Sequence, residues 1–291
     1  MIDLHMHSTF SDGTWLPEEL VAEGIRLKLS AMALTDHDTV EGFSYMLKAT
    51  VGTPLCIIPA IELDSDWSRG AMHFLAYGIN PESDILREHL AWLIGGVHAR
   101  NNEIFSRLNS AGIRLTWGDL EAAAGGADIS RIHFAMALKR KGYVKNRHEA
   151  FTKYLSEGRS GFSPKRKLSP LACIDLIVES GGVPVIAHPS TVKLKKKAFV
   201  AAIEELAEYG LGGLEVYYAD SQPQQEREMA HVAQKCNLVM TGGSDFHGAI
   251  TPDMSIGQGA GGLKVPDNLL PPLLDRIREN QGSYVPGQPD A

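Results

Sequence analysis

The stretch MIDLHMHSTFSDG, Met1–Gly13, sets His5 and His7 two residues apart in a short apolar run and follows them with Asp12. In a strand, the i, i+2 spacing points both imidazoles to one face. A terminus normally frays unless it is tied down, so a first strand carrying this chemistry predicts that it is built into active machinery. Its partners should lie at the ends of other strands.

From there the chain alternates short apolar runs with helical patterns. A helix with Pro17 in its first turn and Leu20, Val21 and Ile25 on one face precedes AMALTDHD, and PLCIIPAIEL and AMHFLAYGI follow. After an interruption the rhythm resumes with VPVIAHP, GGLEVYY and LVMTGGSDFH, separated by SPLACIDLIVESGG, FVAAIEELAEYG and QQEREMAHVAQK. Seven strands are predicted. Ser169–Pro170 reads as an N-cap with proline at the first helical position, and Gly181–Gly182 as the stop. The interruption, roughly Glu88 to Lys167, is almost entirely helical in pattern and predicts an inserted helical cap. The expected organisation is barrel over 1–87, helical cap over 88–167 and barrel again over 168–291, with QGSYVPGQPDA passing into a loose terminus.

The bulk properties limit the function. With 291 residues and 44% hydrophobic composition the chain can bury a substantial core. A formal charge of −7 argues against a broad basic surface tracking long duplex DNA, and leaves room for a small anionic ligand held by metal or local arginines. Cys56, Cys173 and Cys236 have no pairing or CxxC spacing, which predicts buried thiols in a reducing, cytoplasmic setting. No apolar run approaches the roughly 20 residues that span a bilayer, so no membrane partner is expected.

The residues with ligating chemistry recur at strand ends. Asp36, His37 and Asp38 end the second strand, Glu62 the third, and His188 the fifth; His73 lies on the fourth, and Asp245 and His247 close the seventh. In a barrel of parallel strands those ends converge on one mouth. A lone histidine on an apolar strand is ordinarily a satisfied core residue, but HxH, DH, E, H, H and DxH at successive strand ends read as one site. Six imidazoles and several carboxylates cannot share a pocket uncompensated. Mixed nitrogen and oxygen donors suit two or three divalent ions, manganese foremost, with zinc and iron as alternatives, and Glu62 as the natural bridge. Such a cluster lowers the pKa of bound water and clamps a phosphoryl group. Asp36 and Asp38 read as partners orienting His37, with an N-cap role as the alternative for Asp38. His89, His98, His148 and His231 lie in helical patterns and read as surface or packing residues. KLKKK and PKRK, ending at Lys197 and Lys167, read as solvated basic runs, the second near the mouth.

HMHSTFSDG, TDHDTVEG, IPAIEL, MHFLAYG, IAHP and GSDFH, in this order, resemble the polymerase and histidinol phosphatase (PHP) family of metal-dependent phosphoesterases. The resemblance implies a distorted (β/α)7 barrel with a trinuclear metal site. One ion would take His5, His7, Glu62 and Asp245; a second would share Glu62 and take His73 and His188; a third would take Asp12, His37 and His247. It implies attack by a metal-bridging hydroxide, with Glu62, His188, Asp245 and His247 as the catalytic set. ISRIHFAMALKRKG and YLSEGRSGF resemble the subgroup that converts nucleoside 3′,5′-bisphosphates to 5′-monophosphates, some members of which also remove nucleotides from the 5′ ends of short RNA. That implies substrate binding by Ser130, Arg131, His133 and Arg159, with Lys165 as a further candidate. A histidinol-phosphate or other small phosphomonoester phosphatase, and a non-catalytic metal-binding module, are the alternatives.

Overall fold

The computed structural model describes residues 1–126, 129–219 and 221–281. Seven strands, β1 (Ile2–Asp3), β2 (Ala31–Leu34), β3 (Cys56–Asp64), β4 (His73–Tyr77), β5 (Val183–Ile186), β6 (Gly213–Tyr218) and β7 (Val239–Gly243), form one sheet in sequence order. The sheet nearly closes on itself. Leu4 N donates to Gly242 O at 3.1 Å, Asp245 N to His5 O at 2.8 Å and His7 N to Phe246 O at 2.9 Å. Gly243 permits this approach, because a Cβ there would stand 2.4 Å from the backbone nitrogen of His5.

The barrel is not all parallel. β4 runs against both β3 and β5, with Asp64 opposite His73 and Phe74 opposite Ile186. The Ser65–Met72 connection is shorter than the dozen or so residues that a parallel crossover needs, so a hairpin is the only solution. This corrects the picture of parallel strands whose ends converge: His73 begins β4, and reversal of the strand brings it to the same mouth. The first strand is also shorter than IDLHMH suggested, its pairing beyond Asp3 continuing as single contacts such as Met6 with Phe246.

The α-helices of the described residues are α1 (Pro17–Arg26), α2 (Phe43–Ala49), α3 (Asp84–Ser110), α4 (Trp117–Ala124), α5 (Arg131–Arg140), α6 (Arg147–Ala150), α7 (Pro170–Glu179), α8 (Lys196–Tyr209), α9 (Pro223–Lys235) and α10 (Leu270–Gln281), and a short π-helical stretch, Phe151–Leu155, continues α6. The period-2 pattern of β2 divides its side chains between two cores. Ala31 and Ala33 join Ile2, Leu4, Leu75, Tyr77 and Val185 with Leu273 and Ile277 of α10, whereas Met32 and Leu34 join Leu20 and Val21 of α1 and Met46 of α2. The N-cap at Ser169 is as expected, its hydroxyl accepting from Ala172 N at 3.2 Å. Among the described residues no helix is long and apolar enough to cross a membrane.

The chain divides into two compact units, Met1–Glu88 with Lys167–Ala291, and His89–Arg166. The second has its own apolar core, including Ile104, Leu108, Leu120, Phe134, Leu138 and Leu155. Thr116 and Asp119 close a capping box at the start of α4, and Gly125 (φ 62°) ends that helix in the left-handed conformation. The terminal stretch from 282 onward lies outside the described residues.

Candidate active site

β1 and the turn after it deliver His5, His7 and Asp12; the segment after β2 delivers His37; β3 carries Glu62, β4 begins with His73, and the segments after β5 and β7 carry His188, Asp245 and His247. Glu62, 1% exposed, lies among these histidines. Its Oε1 lies 2.9 Å from both His73 Nδ1 and His188 Nε2. Its Oε2 faces His5 Nε2 at 3.3 Å, His7 Nε2 at 3.2 Å and His37 Nδ1 at 3.6 Å. Asp245 Oδ1 closes the second half, 3.3 Å from His5 Nε2 and 3.2 Å from His7 Nε2. Asp12 Oδ1 lies 3.2 Å from His247 Nε2 and 3.7 Å from His7 Nδ1.

Among the described residues, three groups have donor atoms all within 4.8 Å of one another: His5, His7, Glu62 and Asp245; His7, Asp12, His37 and His247; and His37, Glu62 and His73. All nine sequence-predicted ligands are therefore gathered at this mouth, with His188 joined through Glu62. His7 Nε2, Asp12 Oδ1 and His37 Nδ1 are buried atoms without a well-aligned hydrogen bond. Buried polar atoms are rarely left so, and a set of imidazole and carboxylate donors aimed at common points fits divalent cations.

The electrostatics support the same fit. Burial opposes charge on His5, but Glu215, Asp245 and Glu62 outweigh it and hold its pKa well above the ordinary value. His7, opposed by burial and favoured by Asp245 and Glu62, is pushed up to about 10. Burial would raise the carboxyl pKa values, yet His37 and His5 hold Glu62 well below the usual range, His247 lowers Asp12, and His5 and His7 lower Asp245. The pocket is built to balance carboxylates with positive charge, which protons on imidazoles or bound cations can supply.

Several imidazoles are held by an outer acceptor. His188 Nδ1 donates to Thr191 Oγ1 at 3.0 Å, and His247 Nδ1 to the carbonyl of Asp245 at 2.8 Å. His73 Nε2 lies 3.2 Å from Asp64 Oδ1, and Lys167 Nζ, the last residue of PKRK, lies 4.0 Å from Asp64 Oδ2. Tyr218 donates its hydroxyl to Asp245 Oδ2 at 3.1 Å. The backbone is strained in the same place: Asp38 (φ 54°), His188 (φ 29°) and Asp245 (φ 52°) are three of the non-glycine residues with positive φ.

Sequence reasoning missed Asp64, Glu215, Tyr218 and Asp3. Glu215, a lone charge in the apolar run GGLEVYY, was the available signal; it is fully buried and bonds His5 Nδ1 at 2.9 Å. Asp3, also fully buried, accepts from Ser244 N at 2.9 Å and Gly257 N at 2.6 Å and so anchors the segment carrying Asp245. Asp36 does not orient His37. Its carboxylate accepts from Ser8 N at 2.7 Å and from the Ser8 and Ser11 hydroxyls at 2.6 Å each, tying down the opening loop. Asp38 is not the cap of α2, whose N-cap is Gly42, and its N–H donates to Glu62 O.

In the second unit, Ser130 caps α5 as expected, but His133 takes part in the cap, its Nδ1 accepting from Ser130 N at 3.0 Å. The Arg131 guanidinium lies 5.9 Å from the centre of the Phe151 ring. Arg159 is exposed.

The PHP domain pattern matches residues 3–209. The chain is 32% identical over 248 residues to the 5′-3′ exoribonuclease Rnm of Salmonella typhimurium, covering 84% of each. It is 30% identical over 250 residues to the 3′,5′-nucleoside bisphosphate phosphatase of Chromobacterium violaceum, covering 84% of this chain and 87% of that one. The solved structure of a metal-dependent phosphoesterase from Bifidobacterium adolescentis superposes with a TM-score of 0.79 at 29% identity, covering 94% and 96% of the two chains. With a nearly closed seven-stranded barrel, a histidine and carboxylate cluster at its mouth and these relatives, the chain belongs to the PHP domain family and is a phosphoric ester hydrolase.

Proposed function

We propose that this hydrolase removes the 3′-phosphate of nucleoside 3′,5′-bisphosphates to give nucleoside 5′-monophosphates, and that it also acts 5′ to 3′ on short RNA. The observation that carries the reading is the division of Glu62, one oxygen toward His73 and His188 and the other toward His5 and His7. A single buried carboxylate shared between two imidazole pairs suits a bridge between cations. The names of the relatives from Salmonella typhimurium and Chromobacterium violaceum support the choice of substrate.

His5, His7, Glu62 and Asp245 would hold one ion, Glu62, His73 and His188 a second, and Asp12, His37 and His247 a third, with manganese as the proposed metal. Bound there, the ions supply a water nucleophile activated at neutral pH and positive charge against the phosphoryl oxygens. The protein's own groups prepare that site. Tyr218 occupies Asp245 Oδ2 and leaves Oδ1 to face His5 and His7. Thr191 holds the far side of His188, so that Nε2 faces Glu62. His188, His247 and Asp245 are the groups proposed to pass a proton to the leaving oxygen. Arg131, with Ser130, His133 and Arg159, is proposed to bind substrate phosphate. Cytoplasmic residence completes the reading, in keeping with three free cysteines.

The test is phosphate release from adenosine 3′,5′-bisphosphate with added Mn²⁺, beside histidinol phosphate, AMP and a short 5′-phosphorylated RNA. Rapid conversion of the bisphosphate to AMP is expected. Preference for histidinol phosphate would reassign the substrate and leave the metal chemistry in place.

A further inference from the structure

Glu215 is a fully buried carboxylate at the mouth whose two oxygens serve two different strand ends. Oε1 accepts from His5 Nδ1 at 2.9 Å, and Oε2 accepts from the backbone N–H of His188 at 2.6 Å. His5 follows β1, His188 follows β5, and Glu215 stands on β6, so one side chain ties three strands at the level of the site. Its own oxygens are committed to these donors, and it belongs to none of the groups whose donor atoms converge. It acts on the site through its neighbours.

We propose that Glu215 is a positioning residue for metal binding: it fixes His5 with the proton on Nδ1, so that Nε2 faces Glu62 and Asp245, and it holds the backbone of His188 where Nε2 meets Glu62. This rests on the metal reading given under Proposed function. A carboxylate acceptor is the right group for the first task, because it can only accept; Nδ1 must donate, and in the neutral imidazole that a cation would bind the lone pair falls on the nitrogen 3.3 Å from both Glu62 Oε2 and Asp245 Oδ1. The second task has a conformational reason. His188 sits at φ 29°, ψ 67°, where a non-glycine residue persists only when its surroundings hold it, and the short bond from its N–H to Glu215 is such a hold. Glutamine at 215 has nearly the same shape but offers one acceptor and one donor, so either one of the two bonds fails or His5 moves its proton to Nε2, the nitrogen that faces Glu62 and Asp245.

The test is Glu215→Gln in the full chain, with Mn²⁺ affinity measured by titration against a competing chelator. The expected result is affinity about 10- to 100-fold weaker than wild type. A shift in the visible absorption of the Co²⁺-loaded variant should accompany it, because the ligand arrangement changes. A purely structural role would lower the melting temperature of the chelator-treated chain while leaving Mn²⁺ affinity and the Co²⁺ spectrum of the folded protein unchanged, and that result overturns the proposal. If glutamine prevents folding, Glu215→Asp keeps the charge but withdraws it by one methylene; weaker Mn²⁺ binding supports the role, and wild-type affinity removes it. A wild-type chain that takes up no Mn²⁺, Zn²⁺ or Co²⁺ overturns the metal reading and this one together, whereas normal wild-type uptake with an unchanged Glu215→Gln variant removes only the positioning role.

Discussion

The barrel mouth and the helical unit His89–Arg166 handle polar side chains in opposite ways. At the mouth, His5, His7 and Glu62 are buried and answer one another's charge at 3.2 to 3.3 Å. In the helical unit the buried cluster is Ile104, Leu108, Leu120, Phe134 and Leu138, Arg100 and Asn101 are among the few buried polar side chains and bond each other at 3.2 Å, and residues such as Asp119 and Lys141 pair at the surface, 2.7 Å apart. The first arrangement is costly unless it serves a cation; the second is how an ordinary domain is stabilised. The difference teaches where function was built into the fold at the expense of stability.

The sharpest way to break that contrast is Glu62→Gln. Loss of the shared carboxylate should reduce metal-dependent turnover on the order of a thousandfold, the upper end of the effect of one transition-state-stabilising group, and steady-state kinetics with metal analysis would show it. A variant with full activity and full metal content would mean that the mouth is no more than a satisfied core. In the helical unit the corresponding large effect should be on stability. Phe134 is fully buried, and Phe134→Ala should cost about 3–5 kcal/mol in denaturant unfolding, with no change in metal content of the folded protein.

A smaller effect is expected from Arg131→Ala, about a tenfold rise in KM for the bisphosphate with kcat little changed, the mark of a lost ground-state phosphate contact. Equal kcat and KM to wild type would leave Arg131 with only its place against Phe151.

The smallest effects separate the two regions by pH. In the chelator-treated chain His7 has its pKa raised from 6.5 to about 10, so its contribution to stability is complete below pH 6.5 and is lost as the pH rises through about 10. Thermal melts should show this alkaline loss without metal, and much less of it with Mn²⁺ bound to the neutral imidazoles. Asp119 has the reverse sign. Hydrogen bonds from Lys141 and Thr116 lower its carboxyl from 3.8 to about 2, so its contribution is present above pH 3.8 and fades as the pH falls through about 2. Asp119→Asn should remove that acid-side dependence, seen in amide exchange at the start of α4.

By itself the sequence determined the seven strands, the Ser169–Pro170 helix start and the nine residues brought to the mouth. Those signals are local or periodic: a two-residue repeat in IDLHMH, a cap beside a proline, ligating residues at most strand ends. Even the reversal of β4 was within reach, since Ser65–Met72 is too short for a crossover. What only the tertiary structure decided were the partners. Asp36 turned to Ser8 and Ser11 rather than to its neighbour His37, and His133 to the cap of its own helix. Glu215 met His5 across 210 positions of chain, and His188 took a left-handed backbone that no feature of VPVIAHP announces. The physical reason is the same in each case: a hydrogen bond between distant segments depends on how strands are brought side by side, and no local spacing in the chain records it.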